Sequence, residues 1–137
     1  MARFSVLVVD DFGPWRELVV YIVEKVTDCY VAGEASDGVE AVQKAESLKP
    51  DLVLLDLGLP KMNGLEAARQ IRDLAPLSKI LFLTQESSPE VAREAMKVGT
   101  GFVVKTDAAA ELLPAVNTVI LGEQFLSSQL QKRNEQR

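Results

Sequence analysis

The chain has 137 residues and a formal net charge of −5 at pH 7, with 47% hydrophobic and 26% charged residues. This composition is typical of one globular domain, and the negative charge argues against a broad face that binds nucleic acid or membrane. The single cysteine, Cys29, and the lack of histidine exclude an internal disulfide, histidine catalysis and histidine metal ligation. A single cysteine favours a reducing cytoplasm, which is the expected location. Neither a signal peptide nor a membrane-length apolar run is recognisable.

Short apolar runs alternate with helical patterns along the chain. Five of them are predicted to be strands, at Phe4–Val9, Tyr30–Ala35, Leu52–Leu55, Ile80–Leu83 and Phe102–Val104. The third run is apolar without interruption, as in a strand that is buried on both faces of a parallel sheet. The second run carries Glu34 and is the least apolar, which favours an edge position.

Capping signals mark the starts of the helices. These starts are predicted at Gly13-Pro14, at Asp37 with Glu40, at Asn63 with Glu66, between Ser87 and Pro89, and at Asp107. Helical spacing assigns the inner faces to Trp15, Leu18, Val19, Ile22 and Val26 in the first helix and to Leu65, Ala68, Ile71 and Leu74 in the third. Pro114 lies inside the fifth helix and is expected to remove one backbone hydrogen bond.

The last residues differ from the alternating pattern before them. The fifth helix is predicted to end at Leu121, and Phe125-Leu126 then leads to a capping pair, Ser128 with Gln131. A polar stretch, Lys132–Arg137, follows. We therefore predict a domain over residues 1–121 and a tail or the start of a linker over residues 122–137.

The alternation predicts an α/β fold, with a five-stranded parallel sheet, helices on both faces and a short C-terminal helical tail. An edge position for the second strand favours the order 2-1-3-4-5, whose topological switch point lies between strands one and three. Asp10 and Asp11 end the first of these strands, and Asp56 ends the other. The three carboxylates are therefore expected to meet at one crevice.

Three neighbouring carboxylates repel one another unless a cation compensates their charge. An all-oxygen set favours a hard ion, and Mg²⁺ fits best because it keeps positions open for phosphate and water. Thr84 and Lys105 end strands four and five and add a hydroxyl and an ammonium at the same edge. Phosphoryl transfer requires mainly positioning and charge neutralisation, which these groups can supply. Aspartyl carboxylates are known phosphate acceptors, so Asp56 is the predicted nucleophile.

With these residues in place, the chain resembles the receiver domain of two-component response regulators. The resemblance runs from Arg3 to about Leu121 and is carried by Val8-Val9-Asp10-Asp11, Asp56 with Pro60, Asn63-Gly64, Thr84, and Gly101-Phe102 with Lys105. It implies a flavodoxin-like, doubly wound fold. It also implies that Asp56 accepts a phosphoryl group from a phosphohistidine on a sensor histidine kinase or a phosphotransfer protein.

The same resemblance implies roles for further residues. Mg²⁺ would be held by Asp11, Asp56 and the main-chain carbonyl of Gly58, and by Asp10 largely through water. Thr84 and Phe102 would match the switch pair of the family, which remodels the surface of the fourth helix, fifth strand and fifth helix. Gly58 and Gln85 depart from the usual residues around the acceptor and bear on the lifetime of the acyl phosphate.

Two stretches, Asn63–Ala67 and Gly122–Ser127, are similar to receivers that precede a helix-turn-helix DNA-binding domain. Such a receiver would reach DNA only through that further domain and would itself contact neither nucleic acid nor membrane. Either a stand-alone receiver or part of a longer regulator fits the sequence, and homodimerisation is an open option.

Two other functions share part of the pattern. A Mg²⁺-dependent aspartyl phosphatase would carry the motif Asp-x-Asp at the end of its first strand. In this chain the isolated acid, Asp56, instead ends the third strand. An interaction domain of the same fold would keep every signature residue without being phosphorylated. A phosphoacceptor is not a turnover enzyme, and its expected chemistry is limited to its own phosphorylation and dephosphorylation.

Overall fold

The computed structural model describes residues 3–135 of the chain and side chains as far as residue 131. Its strands are β1 (Phe4–Val9), β2 (Cys29–Ala35), β3 (Leu52–Leu55), β4 (Lys79–Thr84), β5 (Gly101–Val104) and β6 (Phe125–Leu126). Its helices are α1 (Gly13–Val26), α2 (Gly38–Leu48), α3 (Gly64–Leu74), α4 (Pro89–Met96), α5 (Ala108–Ile120) and α6 (Ser128–Glu135), with a 3-10 turn at Lys105–Asp107.

All strands are parallel and form one sheet in the order β2-β1-β3-β4-β5-β6. The predicted fold and the order 2-1-3-4-5 are confirmed, with β2 at an edge and the switch point between β1 and β3. The sheet also has a sixth strand, β6, which the sequence did not lead us to expect. It pairs with β5 through Gly101 with Phe125 and Phe102 with Leu126, so β5 is an interior strand.

Side chains alternate from the two faces of the sheet into two buried layers. One layer contains residues of α2, α3 and α4, and the other contains residues of α1 and α5. The four residues of β3 point to both layers, and none is more than 1% exposed. This position explains why β3 is apolar without interruption.

The capping signals were more reliable than the predicted helix faces. Asp37 accepts a hydrogen bond from the Glu40 N–H at 2.8 Å, Asn63 accepts one from the Glu66 N–H at 2.9 Å, and Ser88 is the N-cap of α4. Asp107 does not cap α5 with its side chain, because the 3-10 turn places it at ψ near 0° rather than in the extended conformation of a capping residue. Its carboxylate accepts from Gln129 Nε2 at 2.8 Å instead.

Three residues that were assigned to inner helix faces are substantially exposed. Leu18 is 46% exposed because it lies about 100° around α1 from the buried Val19. Val26 and Leu74 are 51% and 38% exposed and are the last residues of α1 and α3. Val23, which was not assigned, is fully buried.

The residues after α5 pack closely against the sheet. Ser127 is fully buried, its N–H donates to Phe102 O at 2.9 Å, and its hydroxyl accepts from the Val104 N–H at 2.9 Å and donates to Glu111 Oε1 at 2.7 Å. Leu130 is 1% exposed and lies in the same buried layer as Phe102. The domain boundary at residue 121 stays a prediction, and Gln136 and Arg137 of the polar stretch lie outside the described residues. No helix within residues 3–135 is both long enough and apolar enough to cross a membrane.

Candidate functional site

The carboxyl ends of four strands bring the predicted site residues to one edge of the sheet. Asp10 and Asp56 directly follow β1 and β3, Thr84 ends β4, and Lys105 follows β5. With Asp11 and Gly58, they line one cleft of about 860 Å³. The residues converge because parallel strands place their carboxyl ends at the same edge of the sheet. The crevice opens at that edge, at the switch point between β1 and β3.

Three carboxylates form a cluster in this cleft. Asp10, Asp11 and Asp56 each offer a carboxylate oxygen, and these atoms all lie within 4.8 Å of one another. Asp10 and Asp56 are 3% and 7% exposed, whereas Asp11 is open to solvent. Burial raises the pKa of Asp10, although a hydrogen bond from Lys105 and one from the Phe12 N–H act in the opposite direction.

Lys105 connects two members of this cluster. Its Nζ lies 2.6 Å from Asp10 Oδ2 and 3.1 Å from Asp56 Oδ2, and its side chain is 11% exposed. Burial acts to lower the pKa of Lys105, but the two carboxylates outweigh burial and raise it. The site therefore holds an ammonium between two buried acids.

The donor set is suited to a hard divalent cation. Three carboxylates face one ammonium, so the cleft keeps an excess of negative charge that a cation would offset. All the donors are oxygen atoms, which fits Mg²⁺ better than a soft metal ion. Asp11 lies on the solvent side, where an ion can enter.

A glycine fixes the loop that carries Asp56 and Gly58. The Gly64 N–H donates to Leu57 O at 2.8 Å, which folds the loop after β3 back onto the end of the strand. A Cβ at Gly64 would lie 2.0 Å from Asp56 O and 2.7 Å from Leu57 Cα. The motif Asn63-Gly64 thus combines a helix cap with a close backbone approach that only glycine permits.

The two residues of the predicted switch pair lie in different surroundings. Thr84 is 3% exposed and lines the cleft, and its Oγ1 accepts from the Glu86 N–H at 3.4 Å. Phe102 is fully buried in the layer beneath α4, with its ring centroid 6.1 Å from that of Phe82. The structure brings Thr84 to the acidic cluster and keeps the Phe102 ring outside the cleft.

One cleft residue, Trp15, was predicted to lie on the core face of α1. Trp15 is only half-buried, it lines the cleft, and its ring centroid lies 5.4 Å from Lys105 Nζ. Its place in the first helical turn after Asp10-Asp11 is the one sequence signal that could have indicated this position.

The fold and the cleft together define a flavodoxin-like α/β domain with an acidic cleft at its switch point. A model of the response regulator receiver domain matches residues 6–117. The chain belongs to this family, whose members are the phosphoacceptor signalling domains of two-component systems. The predicted resemblance is confirmed.

Individual relatives agree with this assignment. The chain is 35% identical over 127 residues to the nitrate/nitrite response regulator protein NarL of Escherichia coli (strain K12), covering 92% of this chain and 59% of that protein. It is 37% identical over 115 residues to the chemotaxis protein CheY of Thermotoga maritima, covering 83% of this chain and 95% of that protein. A crystal structure of a LuxR-family two-component response regulator from Aurantimonas sp. matches with a TM-score of 0.90 at 30% identity, covering 96% of this chain and 94% of that one. The predicted similarity to the subgroup with a DNA-binding domain is supported by this LuxR-family relative.

Proposed function

We propose that Asp56 is the phosphoacceptor of this receiver domain and that its phosphoryl group comes from a phosphohistidine of a sensor histidine kinase or phosphotransfer protein. The observation that carries the proposal is the contact of Asp56 Oδ2 with Lys105 Nζ at 3.1 Å inside the acidic cleft. Asp10 is held more tightly by the same ammonium and by the Phe12 N–H, and Asp11 lies in solvent. Asp56 is the other buried carboxylate of the cleft, and its contacts are longer, at 3.1 Å from Lys105 Nζ and 3.4 Å from the Gly58 nitrogen. It is therefore the buried carboxylate that is less tightly engaged.

In the transfer, a carboxylate oxygen of Asp56 forms a bond to phosphorus while the bond from phosphorus to the histidine nitrogen breaks. The electron pair of that bond leaves with the imidazole. No general base is required, because a carboxylate attacks with its own lone pair. Lys105 offsets negative charge on the phosphoryl oxygens, and the Thr84 hydroxyl donates a hydrogen bond to one of them.

Asp10, Asp11, Asp56 and the main-chain carbonyl of Gly58 are proposed to hold Mg²⁺. When bound, this ion would offset the charge that accumulates as a phosphoryl group meets three carboxylates. The grouping of three carboxylate oxygens within 4.8 Å supports this part of the proposal. Slow hydrolysis of the acyl phosphate by the domain itself completes its chemistry.

The output would be a change at the surface of α4, β5 and α5. Thr84 and Phe102 are the proposed switch pair, since Thr84 faces the cleft while Phe102 lies in the adjoining strand, beneath α4. The chain spans about 59% of the length of NarL. We propose that the whole protein works in the cytoplasm and that, with a further DNA-binding domain, it dimerises when phosphorylated.

The proposal is tested by incubating the purified chain with acetyl phosphate and MgCl₂ and measuring the intact mass. We expect one phosphoryl group per chain in the wild type, none in Asp56→Asn, and none in the presence of EDTA. Asp73→Asn is the matched control, because Asp73 is exposed on α3 away from the cleft.

Labelling that persists in Asp56→Asn would show that the acceptor is another residue. A wild type that stays unlabelled by acetyl phosphate and by phosphorylated kinases would support the unphosphorylated interaction domain. Sustained turnover of an organic phosphate would instead indicate a phosphatase.

A further inference from the structure

The surroundings of Trp15 differ from those of an ordinary core tryptophan. Trp15 is the one tryptophan of the chain and lines the cleft from the first turn of α1. Its ring centroid lies 5.4 Å from Lys105 Nζ, which is within the range of about 6 Å for a cation–π contact. Its indole N–H is buried and has no hydrogen-bond partner within the described part of the chain. The indole N–H therefore does not explain why the ring lies here.

Trp15 packs against the core beneath α1 but is not fully buried in it. Val19 and Val23 are 1% and 0% exposed and fill the layer between α1 and the sheet. Trp15 lies one turn earlier, at the border between that layer and the cleft. A role in packing alone leaves the face-on approach of the Lys105 ammonium unexplained.

We propose that Trp15 is a positioning residue for Lys105, whose ammonium its ring holds over the acidic cluster. The proposal rests on the proposed phosphoacceptor function of this cleft. Two contacts of Lys105 are with Asp10 and Asp56, the groups that a metal ion and a phosphoryl group would engage. The contact between Lys105 and the Trp15 ring involves neither carboxylate. It therefore does not depend on Asp10 or Asp56 staying bonded to the ammonium.

The ring also limits where the lysine side chain can go. A lysine has a flexible four-carbon stem and a strongly hydrated ammonium, so an uncovered Lys105 could turn out of the cleft into water. The aromatic face attracts the ammonium and takes the place of water beside it. The ammonium is then already in position when a phosphoryl group arrives, which lowers the barrier to transfer.

The kinetic test compares Trp15→Leu, which removes the aromatic face, with Trp15→Phe, which keeps one. With acetyl phosphate and saturating MgCl₂, we expect Trp15→Leu to slow labelling of Asp56 about three- to tenfold and Trp15→Phe to stay within about twofold of the wild type. Leu18→Ala is the control on the same helix, because Leu18 is exposed and lies outside the cleft. Urea denaturation of each variant confirms that it is folded.

A double-mutant cycle with Lys105→Met separates positioning from structure. If Trp15 acts through Lys105, adding Trp15→Leu to Lys105→Met causes no further loss of rate. The proposal is overturned if Trp15→Leu slows labelling as much in the Lys105→Met background as it does when Lys105 is present. It is also overturned if a folded Trp15→Leu variant labels at the wild-type rate.

A second measurement needs no phosphodonor. In the wild type, ring currents from Trp15 should shift the Lys105 ε-CH₂ proton resonances upfield, and Trp15→Leu should abolish the shift. Unshifted Lys105 resonances in the wild type would overturn the proposal even if Asp56 is phosphorylated. A shift present in a protein that acetyl phosphate never labels would instead count against the phosphoacceptor function alone.

Discussion

The ammonium of Lys105 lies closer to Asp10 than to the proposed phosphoacceptor. The distances from Nζ are 2.6 Å to Asp10 Oδ2 and 3.1 Å to Asp56 Oδ2. One cation that follows β5 thus compensates two buried acids that follow β1 and β3. A buried charge is costly once its opposite partner is removed. Loss of the Lys105 side chain should therefore leave the two carboxylates uncompensated and lower the stability of the fold.

Lys105→Met should therefore destabilise the fold when divalent ions are absent. It leaves two buried carboxylates facing each other without a cation, and we expect the free energy of unfolding to fall by roughly 3 kcal/mol in EDTA. Added MgCl₂ should recover more stability in this variant than in the wild type. Urea denaturation in EDTA and in MgCl₂ measures both effects, and equal stability of the two proteins in EDTA would contradict the ion pair.

Gly64→Ala should displace the loop that follows Asp56, the proposed phosphoacceptor. The new Cβ would lie 2.0 Å from Asp56 O, so the backbone on one side must move. We expect a loss of about 1–3 kcal/mol in unfolding free energy and slower labelling of Asp56. Gly13→Ala is the matched control, because a Cβ there meets nothing within 4 Å.

Calorimetric or urea-induced unfolding measures the stability of Gly64→Ala and of Gly13→Ala, and the two values are compared. If Gly64→Ala is as stable as Gly13→Ala, the close approach of Gly64 to Asp56 does not exist in solution.

Ser127→Ala should weaken the attachment of the C-terminal residues. The variant leaves the buried Val104 N–H without its acceptor and Glu111 Oε1 without its donor, at a cost of about 1–3 kcal/mol. Ser47→Ala, on the exposed face of α2, should change stability by less than about 0.5 kcal/mol. Hydrogen exchange of the Val104 amide would show the same loss locally.

This result bears on the predicted boundary after residue 121. Faster exchange of Val104 in Ser127→Ala would mean that the residues after α5 stabilise β5. Unchanged exchange and unchanged stability would favour a loosely attached tail.

A larger side chain at Gly58 should lengthen the life of the acyl phosphate. A Cβ at Gly58 meets nothing within 4 Å, so the cleft is open beside Asp56. Gly58→Met should shield the phosphoryl group from water and slow its hydrolysis severalfold while the melting temperature changes little. Loss of label is followed by intact mass after the phosphodonor is removed, and an unchanged half-life would show that water reaches the group by another path.

Most of the site could be predicted because it depends on local patterns and one rule of topology. The apolar runs define the parallel strands, and each of Asp10, Asp56, Thr84 and Lys105 lies at the end of one. Parallel strands present their carboxyl ends at the same edge of a sheet, so residues far apart in sequence had to converge. The strand order followed from a single edge signal, Glu34 in β2.

Several features depended on contacts that no local pattern encodes. The strand β6 has two residues, too few for a sequence signal, and its pairing needs the free edge of β5. Helical spacing placed Trp15 on the core side of α1, but core and cleft adjoin on that side. Trp15 and Lys105 lie 90 positions apart in the sequence, so only the folded chain brings the ring to the ammonium.

The sequence by itself determined the sheet, its order and the acids, hydroxyl and ammonium that gather at its edge, because strand ends and side-chain types are local properties. The tertiary structure decided which groups touch. It placed Lys105 between Asp10 and Asp56, set Trp15 against its ammonium and buried Phe102 outside the cleft. These contacts are set by distances of a few ångströms between separate elements, and those distances depend on how the whole chain packs.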